Sequence, residues 1–442
     1  MNIRETGMNV IRKCRVFPGK TFAWGMALMA VAQVAEAQLS GYASGSYGYH
    51  SDPLYNYATL SDHVTEGYWE LGYLRPSKSH DIRVGYVGGL MIFDALAERN
   101  YYEHRLDVSY AARYGIFRRI REQTDDADSD AETEEYFRGN RIDLRGTLSA
   151  RYDNSAFDEF DNSGLDLSGG FTWGVGSATE FGVSDRGGVR RYTYLPELNN
   201  LTDQLTFRVS NGESDSLRLS FFLAAGVKHF TTGSIDTTRV SIGGGTFNPG
   251  NKGKGKGGAG LGGGNGGGQN GKTVQILENS GTTDTYQLSA GASAAWKWDG
   301  GSLESQVLYR YNPGSGVRFL VQYANSTLLS EDIYNDYFSY GGPEVTMAFR
   351  QKLPFSLRLA LQSDASWRKF LAPALNLEGV ESSPHRIDLR GVAELTLSRS
   401  FPIDDAWSVD VTLAASAIRN RSSDAYNDYS LFSYSLGIGV GL

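Results

Sequence analysis

The sequence predicts an all-β protein, in the form of a transmembrane antiparallel β-barrel of 16 to 18 strands without a plug domain. Three observations favour this fold. Apolar and polar residues alternate along most of the chain, as side chains do on the two faces of a strand. The alternating segments run to about 10 to 14 residues, against a usual strand of about 5 to 6. Aromatic residues recur near the segment ends, as in Trp296 and Tyr309, which is typical of the girdles of a membrane barrel.

The first 37 residues are predicted to be a cleaved signal peptide. Basic residues between Arg12 and Lys20 precede the apolar stretch 22–34, which is too short for a stable transmembrane helix. Ala35-Glu36-Ala37 matches an A-x-A cleavage site. The alternative is a buried N-terminal helix. The barrel is predicted to occupy 38–442, and its first strand begins so close to the cleavage site that no plug domain fits before it.

The last strand shows the alternation most clearly. One face carries Phe432, Tyr434, Leu436, Ile438, Val440 and Leu442, and the other carries only Ser and Gly. A soluble β-sandwich also alternates. Strand length, aromatic girdles and charged residues on the polar faces favour the membrane barrel, because a sandwich core would not accept those charges.

Eighteen strands can be placed, an even number that puts both termini on the periplasmic side. Their predicted ranges are 39–49, 64–74, 80–92, 101–115, 139–152, 163–174, 178–185, 200–210, 215–230, 272–279, 284–298, 302–311, 316–326, 341–350, 355–369, 384–398, 406–418 and 429–442. The strands at 178–185 and 272–279 are the weakest, and removing both gives 16. Asn312-Pro313-Gly314 is predicted to be a periplasmic turn. Two places fit badly: 116–138 is long for a periplasmic turn, and Asp299-Gly300-Gly301 is short for an outer loop.

The signal peptide, the alternation and the apolar last strand together resemble bacterial outer-membrane β-barrel proteins, across nearly the whole chain. The resemblance implies a location in the outer membrane, contact with its lipid, and recognition of the last strand by the barrel-assembly machinery. The assembly signal would comprise Phe432, Tyr434, Leu436, Ile438, Val440 and Leu442. Leu442 departs from the family, which most often ends in Phe.

Two motifs resemble ligand-binding sites, but each lacks a structural feature that such a site needs. A P-loop pattern ends at Thr273, but it lies in the Gly-rich loop 243–272 and no helix is predicted after it. The acidic loop 121–138 has calcium-like spacing but Ala131 where the turn needs Gly. One Cys excludes a Cys-based metal cluster, and the net charge of −8 disfavours a nucleic-acid partner. The sequence therefore predicts no catalytic site, metal, cofactor, nucleotide or nucleic acid.

The polar faces of the strands carry many charges, and these predict the lining of a lumen. The hexapeptide Arg-Ile-Asp-Leu-Arg-Gly occurs at both 141–146 and 386–391. Two interpretations stay open: Arg and Asp pair across strands and stiffen the wall, or unpaired Arg lines a constriction that favours anions. The predicted lumen-facing residues are Arg83, Arg105, Asp107, Arg141, Asp143, Arg145, Arg218, Arg318, Arg358, Arg386, Asp388, Arg390 and Glu394.

The predicted function is passive diffusion of small hydrophilic solutes, because a barrel this wide leaves an aqueous lumen unless loops fill it. A structural or surface-interaction barrel, or a platform for an export machine, is the first alternative. It would have a closed lumen and a co-purifying partner. A lipid-modifying barrel enzyme is the third hypothesis, although no sequence motif singles out its residues.

Overall fold

A computed structural model of the chain describes residues 38–52, 61–77, 79–114, 117–119, 135–137, 139–154, 161–175, 179–214, 216–232, 237–242, 272–278, 284–313, 318–322, 337–371, 373–376, 381–404 and 407–442. The predicted signal peptide, the Gly-rich loop up to residue 271 and most of the acidic loop lie outside these ranges. No helix of the described residues is long and apolar enough to cross a membrane.

Sixteen antiparallel strands form a closed barrel, which confirms the predicted fold class and the lower predicted strand number. Each strand pairs with the next, and the last pairs with the first. Numbered in chain order, the strands are β1 Gln38–His50, β2 Asp62–Pro76, β3 His80–Phe93, β4 Tyr101–Tyr114, β5 Asn140–Asp153, β6 Asn162–Val175, β7 Thr179–Tyr192, β8 Asn200–Ser214, β9 Leu217–Phe230, β10 Asp284–Trp298, β11 Gly301–Tyr311, β12 Tyr340–Lys352, β13 Leu357–Phe370, β14 Ile387–Pro402, β15 Ser408–Ser422 and β16 Tyr429–Gly441.

The apolar face of the wall points outward and is exposed. On β16, Tyr434 is 50% exposed and Ile438 is 58% exposed. Leucines and aromatic residues on the other strands repeat the pattern, for example Leu148 on β5 and Phe221 on β9. An apolar exterior of this extent is stable against lipid rather than water, and pairing of every strand leaves no open sheet edge.

The two ends of the barrel differ in their connections. The start of β1 and the end of β16 lie at one end, called the terminal end, where most connections are short turns such as 77–79, 215–216 and 353–356. The other end, called the loop end, carries long connections such as 231–283 and 312–339. Short turns face the periplasm and long loops face outward in bacterial barrels. The exception is 115–139, a long connection at the terminal end that contains a hairpin of Phe117–Arg119 with Glu135–Phe137.

Two predicted wall strands, 272–279 and 316–326, are wrong. Lys272–Glu278 is the central strand of a separate three-stranded sheet, in which it pairs with Thr237–Ile242 on one side and with Arg318–Gln322 on the other. They span seven and five residues, and a membrane strand needs about 9 to 11. Because 272–279 is not a wall strand, β10 and β11 run in the opposite direction from the predicted one. Asp299 and Gly300 therefore form a turn at the terminal end. Gly300 has a φ of 76°, which favours glycine.

The same reversal of direction corrects the predicted periplasmic turn at Asn312-Pro313-Gly314, since Asn312 follows the loop end of β11. The strand predicted at 178–185 does belong to the wall and is longer than predicted, because β7 continues to Tyr192. Short helical turns of the 3-10 type occupy Ala97–Arg99, Pro196–Leu198 and Tyr337–Ser339. Pro354–Ser356 forms a tight turn in which Phe355 and Ser356 have φ values of 62° and 58°. A further two-stranded pairing joins Ala374–Leu375 to Glu381–Ser383.

Candidate functional site

A cavity of about 950 Å³ lies inside the barrel, toward its terminal end. Its lining comes from strands on several sides of the wall, including β4, β9 and β12, so the polar faces of these strands point inward. Arg350, one of its lining residues, is two positions from the terminal end of β12. The charged residues of the lining are Arg113, Arg141, Arg208, Arg218, Arg350, Asp143, Glu180 and Glu304.

Most of these arginines form ion pairs that stay accessible. Arg141 Nη2 lies 2.6 Å from Asp143 Oδ1, and the two side chains are 50% and 42% exposed. Arg350 Nη1 donates to Glu304 Oε1 at 2.9 Å, and Arg218 pairs with Glu180. Exposed pairs contribute little to stability. These arginines therefore remain available to a solute in the lumen.

Arg208 differs from the other cations of the cavity. It has no ion pair within the described part of the chain, and its side chain is exposed. Strand register places it on β8 between Gly182 and Phe222. A Cβ atom at Gly182 would lie 3.8 Å from the Cβ atom of Arg208, so the glycine leaves unfilled the space beside Arg208 that a side chain would occupy. Arg208 thus presents a guanidinium group directly to the cavity.

A second group of predicted residues meets midway along β4 and β5. Asp107 accepts hydrogen bonds from Arg105 Nε at 2.8 Å, Arg145 Nη2 at 2.8 Å and Thr147 Oγ1 at 2.6 Å. One carboxylate therefore pairs with two guanidinium groups, so the cluster of Arg105, Asp107 and Arg145 has a net positive charge. Both arginine side chains are more than half exposed.

The second copy of the hexapeptide has a different environment. Arg386 and Asp388 lie at the loop end and are 6% and 1% exposed. Asp388 accepts hydrogen bonds from Arg386 Nε at 2.9 Å and from Ser422 Oγ at 2.6 Å. The Arg386 guanidinium also lies over the Phe370 ring, 4.1 Å from its centroid. This pair is part of the wall structure and is shielded from the lumen.

The remaining predicted residues fall in three places. Arg83 and Arg358 lie on inward faces near the terminal end, and neither has an ion pair in the ranges that the structure describes. Arg390 and Glu394 occupy the inward face of β14. Arg318 is in the separate sheet, so its predicted position in the barrel wall is wrong.

Sequence reasoning missed two inward arginines on β7. Arg186 lies 3.3 Å from Asp166, and Arg190 Nη1 donates to Asn162 at 2.9 Å. Counting two residues at a time from Glu180 would have found both. The alternation is broken on the other face by Asp185 and Gly187, which hid the continuation of the strand.

A loop segment narrows the lumen near the loop end. Phe338, in the turn Tyr337–Ser339, is 1% exposed and packs against the inward face of β9. A Cβ atom at Gly226 would lie 3.1 Å from the Phe338 ring, so glycine makes room for it. Asn312 Nδ2 donates to the Phe338 carbonyl at 2.5 Å, and Gln287 donates to the Tyr337 carbonyl.

Among the described residues, no group of three or more His, Cys, Asp or Glu is placed to hold a metal ion. No protein-family model matches the chain, and no curated protein matches it.

Three solved structures illustrate the structural similarity. OccAB3 of Acinetobacter baumannii has a TM-score of 0.42 at 9% identity, covering 92% of this chain and 100% of its own. OpdL of Pseudomonas aeruginosa has a TM-score of 0.42 at 8% identity, with 92% and 99% covered. OpdK of Pseudomonas aeruginosa with vanillate has a TM-score of 0.39 at 9% identity, with 92% and 98% covered. On its own strand pairing and apolar exterior, the chain folds as a transmembrane antiparallel β-barrel.

Proposed function

We propose that the protein is a passive diffusion channel for small hydrophilic solutes. The observation that carries the proposal is the cavity inside the closed barrel, whose lining combines charged side chains with polar ones such as Ser210 and Gln362. A barrel of 16 to 18 strands is wide enough to leave an aqueous passage. Phe338 at the loop end would then narrow the passage and limit the size of the solute.

The charge of the lining favours small anions. Five arginines and three acidic residues line the cavity, and Arg208 has no ion pair among the residues described. Arg83 and Arg358 add two such cations near the terminal end. Charged groups around a narrow water-filled passage bias which ion enters it. The proposal thus combines the two interpretations of the charged wall, with pairing at Arg386 and accessible cations at the cavity.

Conductance in planar bilayers tests the proposal directly. The purified protein should conduct, and its reversal potential in a KCl gradient should show a preference for chloride. Arg208→Glu should shift the reversal potential toward cations, more at low salt than at high salt, because screening acts over ~8 Å at physiological ionic strength. Phe207→Val changes the outward neighbour on the same strand and should leave selectivity unchanged.

Absence of conductance in the unmodified protein would contradict the channel. In that case the surface-interaction or export-platform function gains support, and a partner should co-purify with the barrel. Hydrolysis of lipid by purified protein would instead support the barrel enzyme.

The N-terminal segment and the last strand have roles in export and assembly under this proposal. We infer that residues 1–37 direct export and that the outward face of β16 is the signal for the barrel-assembly machinery. Phe432, Tyr434, Leu436, Ile438 and Val440 all lie on that face and are exposed, so they are available both to a recognition factor and to lipid.

A further inference from the structure

Three cations face outward together at the loop end, on neighbouring parts of the wall. Lys369 is the penultimate residue of β13, and Arg419 and Arg421 are close to the end of β15. Strand register places Lys369 beside Ile387 of β14 and Arg421 beside Leu389. Ile387 and Leu389 are 40% and 54% exposed on the outer face. The cations therefore stand at the outer margin of the apolar exterior.

These cations are available for a partner outside the barrel. Arg419 Nη2 lies 2.8 Å from Asp428 Oδ1, with both side chains about half exposed. Neither Lys369 nor Arg421 has an ion pair within the described ranges, and both are exposed. Long basic side chains at a membrane margin extend toward the headgroups, where phosphates are the counter-charge.

Below this margin the outer wall has a strip of small side chains. Gly391 of β14 lies between Ala365 on β13 and the outward Arg419 on β15, and Ala393 lies between Ser363 and Ala417. A Cβ atom at Gly391 would meet no atom within 4 Å. The larger Trp367 and Leu389 border the strip on the side of the cations. The strip thus forms a shallow depression that starts directly under the cationic margin.

We propose that this surface binds a phosphorylated lipid of the extracellular leaflet, with its phosphates on Lys369 and Arg421 and an acyl chain along the depression at Gly391. Lys369 and Arg421 lie on either side of β14, so two strand spacings, about 10 Å, separate their strands. A headgroup with two phosphates can contact both cations at once, and charge-assisted contacts to phosphate are strong. The inference depends on the membrane position of the barrel and is independent of any conductance.

Native mass spectrometry of the purified full chain in detergent tests the proposal, with bisphosphorylated lipid A as the probe. Lys369→Gln combined with Arg421→Gln should weaken binding roughly tenfold or more. Arg399→Gln is the matched control, because Arg399 is also an outward-facing cation but lies on β14 at the terminal end. This control should bind as the unmodified protein does. Monophosphorylated lipid A should bind more weakly than the bisphosphorylated form.

The charge-conserving variant Lys369→Arg with Arg421→Lys should retain binding. Failure of this variant to bind lipid A would contradict a site based on charge. Binding by the double glutamine variant that equals binding by the unmodified protein would contradict it too. Equal retention of phosphatidylcholine would show only unspecific lipid contact and overturn the proposal. Gly391→Leu fills the depression without changing the charge of the surface and should also lower affinity. Unchanged affinity in that variant would overturn the position assigned to the acyl chain.

Discussion

Arg386 and Asp388 form a buried ion pair at the loop end, while Arg141 and Asp143 form the same pair in the open at the terminal end. The difference follows from strand direction. Arg141 is the second residue of a strand that runs from the terminal end, whereas Arg386 precedes one that runs from the loop end. At the loop end, Phe370 and Ser422 cover the pair. An identical hexapeptide therefore has a structural role in one copy and faces the lumen in the other.

Arg386→Gln should destabilise the barrel by about 3 to 5 kcal/mol, because it leaves the Asp388 carboxylate buried without its cation. Urea-induced unfolding from lipid vesicles measures the free energy of unfolding. Arg141→Gln is the matched control and should cost at most about 1 kcal/mol, as exposed pairs do. Equal losses in the two variants would contradict the difference in burial.

Replacing Tyr434 and Ile438 by Asp should block insertion of the barrel. Both side chains are exposed on the outward face, and a charge against lipid costs roughly 2 kcal/mol or more near the midplane. The outer-membrane level of heat-modifiable protein measures the effect. Tyr434→Phe with Ile438→Val should assemble normally. Normal levels of the double Asp variant would show that this face does not contact lipid.

Phe338→Ala should release the turn Tyr337–Ser339 from the wall and increase single-channel conductance. Loss of a buried phenylalanine ring costs about 3 kcal/mol, and that ring packs against Gly226 on the inward face of β9. Tyr309→Ala removes an outward ring of β11 and should leave conductance unchanged. An unaltered conductance in Phe338→Ala would show that this turn does not limit the passage.

Deletion of residues 250–271 should leave both folding and conductance largely intact. Loop-closure entropy changes slowly with length, and Gly-rich loops contribute little packing. Heat-modifiability on gels and bilayer recordings check the two properties. Normal folding with lost conductance would assign the segment a role in the passage itself.

The sequence predicted the barrel because its apolar faces follow a strict two-residue period, as Tyr434, Leu436 and Ile438 do. It could not separate wall strands from strands in loops where the segment is short and apolar, as at 318–322. Pairing partners decide that question, and they are distant in sequence.

The candidate site was predictable in part. Arg141, Arg145 and Arg218 alternate with apolar residues, so their inward orientation could be read from periodicity. Which arginines keep an accessible charge depends on neighbours from other strands, as the burial of Arg386 by Phe370 shows. The inward position of Phe338 depends on Gly226 and Asn312, and no local pattern indicates these contacts.

Closure of the barrel by pairing of β1 with β16 has a consequence for biosynthesis. The two strands align from Tyr42 with Gly441 to His50 with Ser433. The first wall strand to be synthesised therefore gains its second pairing partner only when the last strand has been synthesised. Until β16 pairs with it, β1 has unpaired backbone groups along one edge, and such an edge invites association with other chains. A ribosome that terminates early by a single strand would release a product that cannot close. We therefore expect periplasmic chaperones to bind truncated chains and periplasmic proteases to degrade them before they reach the membrane.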